Sequence, residues 1–207
     1  IFTLPRFNGR NIAIVTHAGG PGVMLTDALS KGGFNVPKLD GPMAEELKAQ
    51  LFQGASVANP IDILATGTPE QLGIAIDYCE HKFEGIDAIM VIFGTPGLVK
   101  LYEAYDVLHK KILECKKPIF PILPSVVTAG PEVQEFLGRG HVNFSDEVTL
   151  ATALTHVLRT PAPAPADIEI GDVDVPQIWK IVDSIHDEGF LPPQTVRQLL
   201  GCAKIPM

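Results

Sequence analysis

Residues 11–33, NIAIVTHAGGPGVMLTDALSKGG, constrain the fold more than any other stretch, because an apolar β-branched run drops straight into a glycine-rich segment that opens a helical pattern. Asn11 to Thr16 has the composition of a buried parallel strand. Gly19, Gly20, Pro21 and Gly22 are expected to form a tight loop after it, with backbone N–H groups left bare where side chains would obstruct them. Val23, Leu25, Ala28 and Leu29 then recur at helical spacing, and Gly32-Gly33 makes a helix stop. A helix N-terminus in this position aims unpaired donors and partial positive charge into the loop, where a phosphate, phosphoryl or carboxylate group fits. The segment is neither the G-x-G-x-x-G fingerprint nor a Walker A loop, since no Gly-Lys-Ser/Thr follows. A strand-to-helix turn that binds nothing is the plain alternative.

The rest of the chain repeats the alternation. Phe34 to Leu39 reads as a short second strand and Pro42 to Phe52 as an amphipathic helix with Met43, Leu47 and Leu51 four residues apart. Ser56 to Pro69 reads as irregular, and a helix is expected over Pro69 to His81 with Thr68 as N-cap and Pro69 at its first position. Ile86 to Phe93, IDAIMVIF, is the strongest central strand, followed by a second glycine loop, Gly94-Thr95-Pro96-Gly97, and a helix through Glu114. Pro118 to Leu123 reads as a fourth strand, Gly130 to Gly138 as a short helix, Val142 to Phe144 as a brief strand, and Asp146 to Arg159 as a closing helix capped by Ser145. This order predicts an α/β fold, a doubly wound parallel sheet, with ligands gathering at the carboxyl ends of the strands. Residues 160–176, TPAPAPADIEIGDVDVP, read as an extended linker. Ile178 to Gly189 and a stretch from Gln194 are expected helices of a tail too short for a core of its own.

Composition narrows the function. A formal charge of -8 argues against a nucleic-acid partner, whose phosphates require clustered Lys and Arg. Cys79, Cys115 and Cys202 have no C-x-x-C spacing, so neither a disulfide framework nor a structural metal site is expected, and a reducing, cytoplasmic compartment fits. No apolar run is long enough to span a membrane, and the first residues lack the layout of a signal peptide. The opening Ile suggests a piece of a longer protein.

Among single residues, His17 stands at the mouth of the first glycine loop and can hydrogen-bond, donate a proton, accept a phosphoryl group or merely position the loop. The other histidines, His81, His109, His141, His156 and His186, show no ligand spacing and read as solvated. Asp62 follows the turn-prone Asn59-Pro60 and can accept loop N–H groups, hold a partner's arginine or simply stabilise its own turn. Ser125 and Thr128 supply hydroxyls without a G-x-S-x-G elbow, so a serine hydrolase is not supported. Cys115 reads as unreactive.

The runs IAIVTHAGGPGVMLTDAL, SVANPIDILATGTPEQ and IDAIMVIFGTPG, in that order, resemble the flavodoxin-like ligase domain of NDP-forming acyl-CoA synthetases, among them ADP-forming acetyl-CoA synthetase, in the superfamily of succinyl-CoA synthetase. The resemblance implies a flavodoxin-like CoA-ligase domain over 1–160, a linker over 161–176, and the helical start of an ATP-grasp domain over 177–207, running up to Ile205-Pro206. Family members make acyl-CoA from a small carboxylic acid, CoA and ATP or GTP through an acyl phosphate and a phosphohistidine. By motif, Gly19, Gly20, Pro21 and Gly22 correspond to the phosphoryl cradle, with His17, Asn59, Asp62, Gly94 and Thr95 in support. His17 replaces the usual Asn of this motif, and the family's phosphohistidine lies in an upstream Ser-His-Thr-Gly type segment not found here. The resemblance therefore implies CoA-binding and ATP-grasp domains as partners and CoA, ATP and Mg for the parent enzyme. This segment by itself is expected to bind no cofactor and to be catalytically silent. A ligand-sensing pseudo-synthetase half of a protein acetyltransferase, a flavodoxin-like nucleotide or FMN module, and a purely structural interaction domain are the competing expectations.

Overall fold

The computed structural model describes residues 9–95, 101–161, 173–186 and 189–205. Expectations for Pro96, Gly97, Pro206 and most of the 161–176 linker lie outside the described residues. The chain divides into two compact units, Ile1–Thr160 and Pro161–Met207.

The first unit is built on four parallel strands, β1 (Ile12–Thr16), β2 (Ile61–Asp62), β3 (Ala88–Ile92) and β4 (Ile119–Ile122), in the order β2-β1-β3-β4. β1 and β3 are buried along their whole length, as expected of a sheet covered on both faces. Strand alternation sorts their side chains into two cores. Ala13, Val15, Ile89 and Val91 pack with α2 (Pro42–Lys48), α3 (Pro69–His81), α4 (Leu101–Glu114) and α5 (Gly130–Gly138). Ile12, Ile14, Met90 and Ile92 pack on the other face with Leu25 and Leu29 of α1 (Gly19–Gly32) and Leu150 and Leu154 of α6 (Glu147–Arg159). This is a doubly wound, flavodoxin-like α/β sheet.

Several elements differ from expectation for local reasons. Gly19, Gly20, Pro21 and Gly22 are the first turn of α1 itself, with Ala18 as N-cap, and not a loop ahead of it. Phe34 to Leu39 is no strand; only Asn35 bridges, to Asn11. Pro37 cannot extend the ladder, and the Asn59 side chain takes the vacant edge of β1. Its Oδ1 accepts the Ile14 N–H, and its Nδ2 donates to the Ile12 and Pro37 carbonyls, each at 2.9 Å. That amide does the work of a strand between Asn35 and the two-residue β2, which the sequence is too short and polar to announce. Asp146, not Ser145, caps α6, its carboxylate accepting the Thr149 N–H at 2.7 Å. The Val142 to Phe144 strand shrinks to one bridge between Ile122 and Phe144. Pro121 is tolerated in β4 because that strand is at the edge, its carbonyl accepting the Phe144 N–H. His109 and His141 are not solvated singly but face one another, Nδ1 to Nε2, at 2.5 Å.

The second unit holds α7 (Val175–Asp183), capped by Asp174, and α8 (Pro193–Cys202). The Asp174 N–H donates to the Cys202 carbonyl at 3.0 Å. α7 therefore begins inside the expected linker, and among the described residues of this unit Ile181 is the one buried hydrophobic side chain.

Candidate functional site at the carboxyl ends of the strands

The chain leaves β1 toward one side of the sheet and β3 toward the other, so the crevice beyond their carboxyl ends is the topological switch point, where open α/β sheets receive ligands. α1 starts there three residues after β1. Its first turn carries Gly19 and Gly20 N–H groups, no side chain caps it, and Pro21 has no N–H to offer. The two glycine amides are thus the helix's outward donors. A side chain at position 20 would meet nothing within 4 Å. At position 22 a Cβ would lie 3.2 Å from Thr16 and 3.3 Å from Pro60, so Gly22 lets the helix seat closely on the strand.

Asp62, at the end of β2, stands beside this turn. Its Oδ1 accepts the Leu64 N–H at 2.9 Å, as expected of a carboxylate bracing its own turn, and its Oδ2 lies 3.1 Å from where a Cβ of Gly19 would be. A carboxylate near a helix N-terminus is electrostatically favourable. It is also a charge that any bound anion has to face.

His17 lies between the two central strands. Its Nδ1 is 3.2 Å from the Ile92 carbonyl and its ring meets Phe93 at 4.9 Å between centroids. Burial lowers its pKa from the usual 6.5, while the Ile92 hydrogen bond and the Asp62 charge pull it part of the way back. A carbonyl only accepts, so the neutral ring carries its proton on Nδ1 and keeps the Nε2 lone pair free to accept.

The end of β3 adds Gly94 and Thr95. The Thr95 N–H donates to Ser125 Oγ at 2.8 Å, and Thr95 Oγ1 lies 3.0 Å from Ser125 Oγ and 3.3 Å from Thr128 Oγ1. A Cβ on Gly94 would meet Ser125 Oγ at 3.0 Å, Pro124 Cγ at 3.3 Å and His17 Cε1 at 3.6 Å, so glycine is what lets Ser125 and His17 approach the end of β3 closely. The structure therefore brings His17, Gly19, Gly20, Asp62, Gly94 and Thr95 to one end of the sheet. It withdraws Asn59, whose amide is engaged along the edge of β1. Ser125 and Thr128 join the group although no sequence motif marks them.

No protein-family model matches the chain. A stretch of 69 residues is 41% identical to the α subunit of an ADP-forming acetate–CoA ligase II from Pyrococcus furiosus, covering 33% of this chain and 15% of that protein. Another of 105 residues is 30% identical to an ADP-forming acetate–CoA ligase I from Archaeoglobus fulgidus, covering 51% of this chain and 15% of the relative. Over these stretches the chain is similar to ADP-forming acetate–CoA ligases. It spans a small part of these ligases. Among solved structures, a protein from Pyrococcus horikoshii OT3 superposes with a TM-score of 0.66 at 25% identity, over 75% of this chain and 36% of that one. An apo dinucleotide-forming acetyl-coenzyme A synthetase 1 from Ca. Korarchaeum cryptofilum superposes with a TM-score of 0.64 at 20% identity, over 75% and 34% respectively, and shares the fold.

Proposed function

We propose that this chain is a non-autonomous ligase domain of an NDP-forming acyl-CoA synthetase, and that it holds a phosphoryl group while acid, CoA and ATP become acyl-CoA, ADP and phosphate. The observation that carries this reading is the uncapped first turn of α1, with the Gly19 and Gly20 amides facing the switch-point crevice. The reacting groups, an acyl phosphate and a phosphohistidine, come from substrate and from another segment. CoA, ATP and Mg are assigned to partner domains, CoA-binding and ATP-grasp in type, and this chain supplies the cradle.

Within it, the glycine N–H groups donate to the phosphoryl oxygens. His17 Nε2 accepts a hydrogen bond from a protonated phosphoryl oxygen or takes up a proton as negative charge arrives. Asp62 faces the anion and keeps it from settling too deeply, which suits a group that must leave again. Electrostatic preorganisation of this kind works because the dipoles are already oriented before the charge appears.

The test is CoA- and acid-dependent release of ADP and phosphate by a synthetase containing this chain, with Gly20→Asp as the variant. The position is sterically open, so the fold survives, while a carboxylate there repels the phosphoryl group. Turnover falls by roughly a hundredfold, the scale seen when a single preorganised donor is lost from an oxyanion site. Unchanged turnover in a folded Gly20→Asp enzyme removes the α1 turn from the mechanism.

A further inference from the structure

Thr95 and the pair Ser125 and Thr128 lie thirty positions apart, yet their hydroxyls meet in an unbroken run. Ser125 Oγ already accepts the Thr95 N–H. Thr95 Oγ1 is the middle of the run, in contact with Ser125 on one side and Thr128 on the other. Three hydroxyls bring three protons, and the two mutual contacts use one each. Whichever way the donors run, one of the three O–H groups is not used within the cluster. Thr95 and Thr128 are exposed, and Ser125 Oγ and His17 Cε1 both approach Gly94 closely, which puts the cluster and His17 on the same end of β3.

We propose that Thr95, Ser125 and Thr128 form a hydroxyl bracket on the β3–β4 side of the crevice that presents its spare O–H to a tetrahedral oxyanion. Ser125 is the positioning residue, because it fixes both the backbone and the hydroxyl of Thr95. The proposal rests on the reading of the crevice as an anion site, and it adds a second wall to it. The α1 turn offers backbone donors from one side. The bracket offers a rotatable hydroxyl donor from the other, which follows the ligand oxygen as it moves.

Inorganic phosphate is the probe, titrated into this chain and followed through the His17 ring nitrogen resonances and phosphorus line widths. Ser125→Ala and Thr128→Val each weaken phosphate roughly threefold to tenfold, the scale of one neutral hydrogen bond. Ser125→Thr, which keeps the hydroxyl, stays within about twofold of the unaltered chain. Gly20→Asp serves as the reference for the α1 turn. If Gly20→Asp abolishes binding while Ser125→Ala and Thr128→Val leave it unchanged, the bracket is overturned and the α1 cradle stands. If the hydroxyl variants weaken binding and Gly20→Asp does not, the bracket stands and the α1 reading falls. Absence of any phosphate-induced shift at His17 in the unaltered chain overturns both. A loss that Ser125→Thr fails to restore shows that Ser125 acts through packing, and overturns its role as a hydroxyl.

Discussion

At the scale of single residues, His17 decides most. Its folded-state pKa lies below the ordinary 6.5 because burial penalises the charged ring, although Ile92 and Asp62 oppose the shift. The unfolded chain therefore binds a proton more readily than the folded one just below that pH. The neutral ring contributes its stability in full above 6.5 and loses it progressively as pH falls through the folded value. His141, lowered by burial and by the neighbouring His109 and Arg139, acts in the same direction. Thermal unfolding between pH 7.5 and 5 checks this: the melting temperature declines, and His17→Asn flattens part of the decline. Asp62→Asn, which removes the opposing charge, moves the His17 titration further down when followed by NMR; a His17 pKa at or above 6.5 in the unaltered chain contradicts the assignment. Little of this was legible in the sequence. His17 and Asp62 stood out through their motifs, but their coupling depends on β1 and β2 lying side by side, and Ser125 and Thr128 gain meaning only from Thr95, thirty positions away.

At the scale of elements, what the sequence made plain is what short-range chemistry decides. The capping box of α3, with Thr68 accepting the Gln71 N–H and Gln71 accepting the Thr68 N–H, is written in four consecutive residues. β1 and β3 announce themselves as apolar runs. Asn59 was hidden because its partners, Ile12, Ile14 and Pro37, are supplied by chain far away in sequence. The start of α1 was misplaced for a different reason: glycine disfavours helix interiors, whereas in the first turn the close approach to Thr16 and Pro60 outweighs propensity. That difference separates two neighbouring glycines. Gly22→Ala forces its methyl toward Thr16 and Pro60 and costs about 1–2 kcal/mol, within the range for overpacking. Gly20→Ala, with open space around it, gains up to about 0.5–1 kcal/mol by restricting the unfolded chain. Urea unfolding of the two variants measures the opposite signs, and equal effects would show that α1 does not rest on β1 through Gly22.

At the scale of the whole molecule, the two units differ in what holds them. Both buried clusters of the sheet are built from residues of Ile1–Thr160, with helices on each face to exclude water. The unit from Pro161 has two described helices that leave Trp179 60% exposed and Phe190 fully so, against a single buried hydrophobic side chain, Ile181. Hydrophobic burial must exceed the conformational entropy lost on folding, and among the described residues of this unit one buried hydrophobic side chain is a small core to set against that cost. A fragment ending at Thr160 should therefore unfold cooperatively at nearly the melting temperature of the full chain. A fragment of residues 173–207 should show little helical circular dichroism and no cooperative transition. If the tail fragment melts cooperatively alone, its helices hold a core beyond Ile181. If removing the tail lowers the melting temperature of the first unit by 10 °C or more, roughly 2.5–5 kcal/mol for a protein of this size, the tail contributes directly to the stability of the sheet, and the division at Thr160 is not a division of folding.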